Sequence, residues 1–166
     1  DQNWLLSKWK QRPSEVVNIG SLLRALEYHG PQQVTIIGDA CQEFSATFIE
    51  LVGGPVLDTS DEIKRGFELD KFFPVDAGSK AYMIKARDGE KAFCLFTEVI
   101  LDALEGDAPA QYYETDEISR HVTSQTIAKF LNDNIPQEAA RYGVIMSPRP
   151  RPGFWTDRNY VSFARG

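Results

Sequence analysis

Four consecutive β-branched residues, Val34-Thr35-Ile36-Ile37, run into Gly38 and stop. Branching at Cβ stiffens χ1 and suits a pleated strand. A strand with such residues at successive rather than alternate positions is expected to bury both faces, as in a parallel sheet with helices on either side. VTIIGDACQEF, Val34 to Phe44, therefore predicts a central strand of an α/β fold that ends in a carboxylate, Asp39, and a thiol, Cys41. Open α/β sheets place their sites at such strand ends, where side chains face a crevice bordered by loops. Free cysteine is also among the residues most often buried, so this pattern leaves Cys41 as either a core residue or a nucleophile.

The flanking sequence supplies the other layers. QRPSEVVNIGSLLRALEYHGPQQ has Pro13 and Ser14 as start signals, Gly30-Pro31 as a stop, and Ile19, Leu22, Leu23 and Leu26 at helical spacing. KAYMIKAR predicts a second central strand, and FSATFIELV a short helix. FCLFTEVILDALEG sets Phe96, Val99, Ile100, Ala103 and Leu104 on one helical face before Gly106. A further helix is expected from Thr115 as N-cap, with Ile118, Val122, Ile127, Phe130, Leu131 and Ile135 as its apolar stripe and a division at Pro136. A last strand is expected around Tyr160 to Phe163, and NWLL begins a strand almost at the first residue. Gly53 to Ser79 shows no sustained period and reads as a long loop with one turn of helix around Glu68 to Phe73. Loops of that length are usually functional or processed. The order of elements predicts an α/β sandwich in a single domain of 166 residues.

Composition excludes several classes of function. A net charge of −6 without a basic block argues against a nucleic-acid partner. No apolar run approaches the roughly 20 residues that span a bilayer, and the first residues lack the form of a signal peptide, so no membrane partner and a cytoplasmic location are expected. Cys41 and Cys94 fit no metal-ligand spacing and cannot build a disulfide framework, which suggests reduced thiols and no metal or other cofactor.

VTIIGDACQEF after a helix, then a long loop, KAYMIKAR and FTEVILDALEG, together resemble the second half of caspase-like cysteine peptidases, the clan of caspases, metacaspases and bacterial caspase-like domains. In that family the nucleophile follows a strand in a hydrophobic-hydrophobic-Asp-x-Cys pattern, and NWLLS resembles the strand after the His-Gly loop. The resemblance covers nearly the whole chain. It implies a three-layer α/β/α sandwich with a mostly parallel central sheet, incomplete here because the N-terminal part of the domain is missing. It implies Cys41 as nucleophile, a peptide or protein substrate, and no cofactor. Asp39 would line a pocket for a basic P1 side chain, giving cleavage after Arg or Lys; the alternative is that its carboxylate caps backbone amides of the following turn. Cys94, inside the apolar AFCLF, reads as a packing residue, since apolar burial raises a thiol's pKa.

A thiol nucleophile needs an imidazole to take its proton and return one to the leaving amine. His29 and His121 are the two histidines in the sequence. His29 lies a dozen residues before Cys41 at a helix end, whereas in caspases the histidine lies about 50 residues upstream. His121 is expected on the long downstream helix, exposed. The base is therefore expected on an upstream segment or a second chain, or the chain is a catalytically inactive relative acting as a binding or scaffold subunit. Gln42, Glu43 and Phe44 follow the cysteine where family members commonly carry a small residue or glycine.

Gly53 to Ser79 corresponds by the same resemblance to the segment holding the maturation site, which makes Lys64 and Arg65 candidate processing positions. Arg87 and Asp88, after KAYMIKAR, fall in the loop that would border the substrate groove, where an extended peptide adds as a strand. PRPRPGF reads as a surface connector, with a docking segment as the alternative. A regulatory domain or a homo-oligomer in a signalling or defence module is implied by resemblance alone.

Overall fold

The computed structural model describes residues 3–5, 16–40, 57, 66–76, 78–85, 92–153 and 159–164. The chain forms two compact units, Asp1–Val34 with Ser45–Glu68, and Thr35–Phe44 with Leu69–Gly166.

In the first unit, β1 (Asn3–Leu5) pairs antiparallel with β2 (Val16–Asn18), and α1 (Ile19–His29) follows directly. Pairing with β1 keeps Val16–Asn18 extended, so the helix begins at Ile19 rather than near Ser14. Asn18 marks that boundary: its Oδ1 accepts from the Ser21 backbone N–H at 2.7 Å, while its Nδ2 donates to Asn3 Oδ1 at 2.8 Å. Ile19 and Ala25 are buried, and Gly30 closes the helix in the left-handed conformation.

Strands β3 (Gln33–Ile37) and β4 (Glu68–Phe72) pair with each other. Glu68 N–H bonds to Gln32 O and Gly38 N–H to Phe72 O, both at 3.1 Å, advancing in the same direction along both strands as in a parallel ladder. On its other edge β4 meets Arg151, with Lys71 N–H to Arg151 O at 2.9 Å and the reciprocal bond at 2.7 Å. Two expectations are corrected here. Glu68 to Phe72 is a strand rather than a turn of helix, because its backbone bonds are spent on neighbouring chain segments. β3 is not buried on both faces: Ile36 is buried, but Ile37 is 47% exposed.

The second unit continues with β5 (Met83–Ile84), β6 (Phe93–Cys94), α2 (Leu95–Glu105), a 3-10 turn (Ala110–Tyr112), β7 (Glu114–Thr115), β8 (Ser119–Thr123), α3 (Ser124–Arg141) and β9 (Asn159–Ala164). The second expected central strand is reduced to β5, which pairs antiparallel with β6 and leaves Met83 65% exposed. β7, β8 and β9 form an antiparallel sheet. α2 and α3 supply most of the core, with Leu95, Phe96, Val99, Leu131 and Ile135 buried against Phe72, Val75 and Val122. Each such side chain contributes roughly 1.5–3 kcal/mol on burial. Gly106 ends α2 at φ 97°, and a Cβ there would sit 3.1 Å from the Phe163 ring, so both conformation and space require glycine.

The long helix expected from Thr115 starts instead at Ser124. Thr123 is its cap: the Thr126 N–H donates to Thr123 Oγ1 at 3.2 Å and the Thr123 N–H to Thr126 Oγ1 at 2.8 Å. Residues 114–123 are a hairpin, and Ile118, assigned to the apolar stripe, is 75% exposed near its tip. Pro136 lies inside α3 without dividing it; side-chain amides of Asn134 and Gln137 donate to the carbonyls of Phe130 and Asp133 around it.

The architecture is mixed α/β. Among the described residues, no helix is long and apolar enough to cross a membrane.

Candidate functional site

The end of β3 is held by Asp39. Its Oδ2 accepts from the Thr97 backbone N–H at 3.2 Å and from the Thr97 hydroxyl at 2.5 Å. Thr97 is the third residue of α2, and the residue preceding that helix, Cys94, makes no side-chain capping bond. A helix start leaves its first amides without internal partners and carries positive potential. A carboxylate from a strand end 58 positions earlier in the chain thus caps α2 across the fold. Asp39 thus caps a distant helix, a role that neither sequence reading assigned to it.

Cys94 adjoins the same carboxylate. Burial pushes its thiol up from the ordinary cysteine range, and the charge of Asp39 and a hydrogen bond to it push in the same direction. A thiol held protonated is a poor nucleophile, in line with the packing role expected for Cys94. Cys41, Lys64, Arg65, Arg87 and Asp88, the other candidate residues, lie outside the described residues. Thr97 escaped the sequence reading because its partner is remote in sequence and a threonine in the first turn of a helix is unremarkable there.

A second polar group joins β4 to the C-terminal segments. Asp70, 2% exposed, accepts from the Gly153 N–H at 2.5 Å and from the Tyr160 hydroxyl. With that proton committed to Asp70, the Thr35 hydroxyl, 3.0 Å away, is the donor to Tyr160. Residues 148–153 of PRPRPGF are therefore anchored along β4 by the Arg151 bridge and by Gly153, and Arg149 Nε pairs with Asp76 at 2.7 Å.

The two histidines resolve differently. His29 ends α1, as expected from the sequence, and its side chain is exposed. His121, expected on a helix, lies on β8, where its Nε2 is 2.8 Å from Asp116 Oδ2 and its Nδ1 2.8 Å from Ser162 Oγ. The side chain is 18% exposed rather than free in solvent. A carboxylate, an imidazole and a hydroxyl in series resemble a hydrolytic relay, but Ser162 stands on the outward face of the central part of β9, opposite His121 in the register. The arrangement ties the tip of the β7–β8 hairpin to the neighbouring strand. Hydrogen bonds from His121 and from the Ile118 and Ser119 amides lower the Asp116 carboxyl to about 2.

Between α2 and the end of α3 lies an open cavity of about 200 Å³ walled by Phe93, Val99 and Tyr142, with Glu98, Asp102 and Glu138 at its polar side. Burial, followed by the charges of Asp107, Glu98, Glu105 and Glu138, raises the Asp102 carboxyl above the usual range. Among the described residues, no group of three or more His, Cys, Asp and Glu side chains is disposed to hold a metal ion.

No protein-family model, no curated protein and no solved structure matches this chain.

Proposed function

We propose that this chain is the nucleophile-bearing part of a caspase-like cysteine endopeptidase that cleaves after Arg or Lys, with its histidine supplied by an upstream segment or a second chain. The finer architecture belongs to the same proposal: an α/β/α sandwich whose parallel core includes the β3–β4 pair. The observation that carries the reading is the Asp39–Thr97 contact. It joins two of the sequence elements behind the resemblance, the VTIIGDAC strand end and the FTEVILDALEG helix, which lie 58 positions apart at that contact. A strand end fixed against a helix start is a rigid approach to Cys41, two residues on.

In this reading the imidazole takes the proton of Cys41, and the sulfur attacks the scissile carbonyl carbon, forming the C–S bond. The oxyanion is held in part by the Cys41 backbone N–H. Collapse breaks the C–N bond, and the imidazolium gives its proton to the leaving amine. Water, deprotonated by the same imidazole, then hydrolyses the thioester and restores the thiol. Processing at Lys64 or Arg65 would follow from the same P1 preference.

The test is labelling of the native assembly, shown to contain the upstream histidine, by a thiol-reactive probe bearing P1 arginine, with a P1-aspartate probe and Cys41→Ala beside it. Cys41-dependent labelling that favours arginine is expected. Absence of labelling by either probe would make the chain a binding or scaffold subunit of the same fold.

A further inference from the structure

We infer that the groove between α2 and the end of α3 is a docking site for an arginine side chain of a protein partner. The inference is independent of the peptidase reading, since no part of it involves Cys41. The apolar lining of the groove is Leu95 and Val99 of α2, both buried, with the Phe93 and Tyr142 rings meeting edge to face at 5.9 Å between centroids. Tyr142 is 44% exposed, so much of its surface is open to a ligand. Glu98 and Asp102, one turn apart on α2, and Glu138, one turn before Tyr142, supply three carboxylates to the same groove.

This arrangement costs the chain stability. Like charges four residues apart on a helix repel. Asp102 registers that repulsion: burial, then the charges of Asp107, Glu98, Glu105 and Glu138, raise its carboxyl above the usual range. Among the described residues, no basic side chain pairs with Glu98 or Asp102. Glu138 pairs with Arg141 at 2.6 Å, an exposed contact on its own helix that an incoming guanidinium can displace at little cost. A cation from outside the chain would offset the repulsion.

The lining selects the kind of cation. Among the described residues, no three acidic, histidine or cysteine side chains are disposed to hold a metal ion. A guanidinium donates through a planar fork to carboxylates and stacks on aromatic faces, while its apolar stem covers aliphatic walls. Lysine lacks the fork and the stacking plane. The volume, about 200 Å³, is below the roughly 300–1,000 Å³ of pockets that enclose a whole small ligand, and suits one inserted side chain. Exposed apolar residues adjoin the groove in the chain: Met83 stands opposite Cys94, the neighbour of Phe93, and Ile145, 87% exposed, follows Tyr142 by three residues. A protein surface around the arginine would cover them, whereas a small free cation would not.

The experiment titrates the isotope-labelled full chain with a capped Gly-Ala-Arg-Ala-Gly peptide and follows amide signals by NMR. Beside it stand the same peptide with lysine or citrulline in place of arginine, agmatine as a small free guanidinium, and magnesium chloride. Saturable shifts at Val99, Asp102, Glu138 and Tyr142 are expected, with a Kd on the order of 1 mM. The lysine peptide should bind about threefold more weakly and the citrulline peptide about tenfold more weakly. Asp102→Asn and Tyr142→Leu should each weaken the arginine peptide by about three- to fivefold, and Arg141→Ala, which frees Glu138, should tighten it about twofold. Asp102→Asn removes a repelling charge, so its loss of binding is read on a folded chain.

Absence of saturable shifts in the groove would overturn the inference, as would equal binding by the citrulline or lysine peptide. An Asp102→Asn variant that binds as the wild type would place the peptide elsewhere and overturn it too. Agmatine binding at least about tenfold more tightly than the peptide would make the groove a small-molecule site. The same shifts from magnesium at equal concentration would reduce it to a counterion atmosphere.

Discussion

Asp39 and Asp70 are the same side chain put to different uses by their surroundings. Asp39 is half-buried and meets a helix start, where a carboxylate is favoured by the amides it caps. Asp70 is enclosed and depends on its donors from Gly153 and Tyr160. A buried carboxylate without partners is strongly unfavourable, and removing it leaves those donors stranded. Asp70→Ala is expected to destabilise by about 3 kcal/mol and Tyr160→Phe by about 1.5 kcal/mol. Denaturant unfolding of both and of the double variant should give a combined loss well below the sum, since one shared bond is removed twice. Additive losses would contradict the shared bond. From sequence, Asp70 is one of four acids in DEIKRGFELD, within a stretch that reads as a long loop with one turn of helix. Its burial comes from Thr35, Gly153 and Tyr160, which lie from 35 to 90 positions away.

The β7–β8 hairpin and α3 meet at Thr123, which is wholly buried and serves both as a strand residue and as a cap. Thr123→Ala should cost about 1–2 kcal/mol in thermal or chemical unfolding, whereas Thr115→Ala, at the position expected to cap, should cost less than about 0.5 kcal/mol. The hairpin tip also carries a pH dependence. Asp116 is lowered to about 2 by His121 and the Ile118 and Ser119 amides. A depressed carboxylate stabilises above its unfolded pKa of about 3.9 and loses that contribution as pH falls through its folded value. Amide signals of Ile118 and Ser119 should therefore shift together as pH falls from about 4 toward 2, and Asp116→Asn should abolish that transition. Sequence periodicity assigned this stretch to a helix because Ile118, Val122 and Ile127 fit a helical stripe. Pairing of β8 with β9, some 40 positions later, overrode that local pattern.

Charge acts over a larger distance than either contact. The chain carries −6, and Asp102 stands in an acidic field from Glu98, Glu105, Asp107 and Glu138. A carboxyl raised on folding binds its proton more tightly in the native state, so its ionisation removes stability as pH rises from its unfolded value toward its folded one. At neutral pH Asp102→Asn should thus stabilise, by a few tenths of a kcal/mol on this largely solvated face. Unfolding measured with and without added salt should show the gain shrinking as repulsion is screened. A destabilised variant would mean that Asp102 makes a favourable interaction that outweighs its neighbours. The exposed pairs Arg141–Glu138 and Arg149–Asp76 are not expected to reverse this sign, since surface ion pairs contribute little.

Local chemistry in the sequence determined α1 and α2, with their glycine stops, the start of β3 near Val34, the last strand near Tyr160 and the mixed α/β class. These depend on Cβ branching, on apolar spacing and on glycine's access to positive φ, all carried by neighbouring residues. Tertiary structure alone decided that Glu68–Phe72 is a strand, that Ser119–Thr123 is not helix, that Asp70 is buried and that Asp39 caps α2. Each of those depends on a hydrogen-bond partner tens of residues away, and no local propensity encodes where such a partner will be.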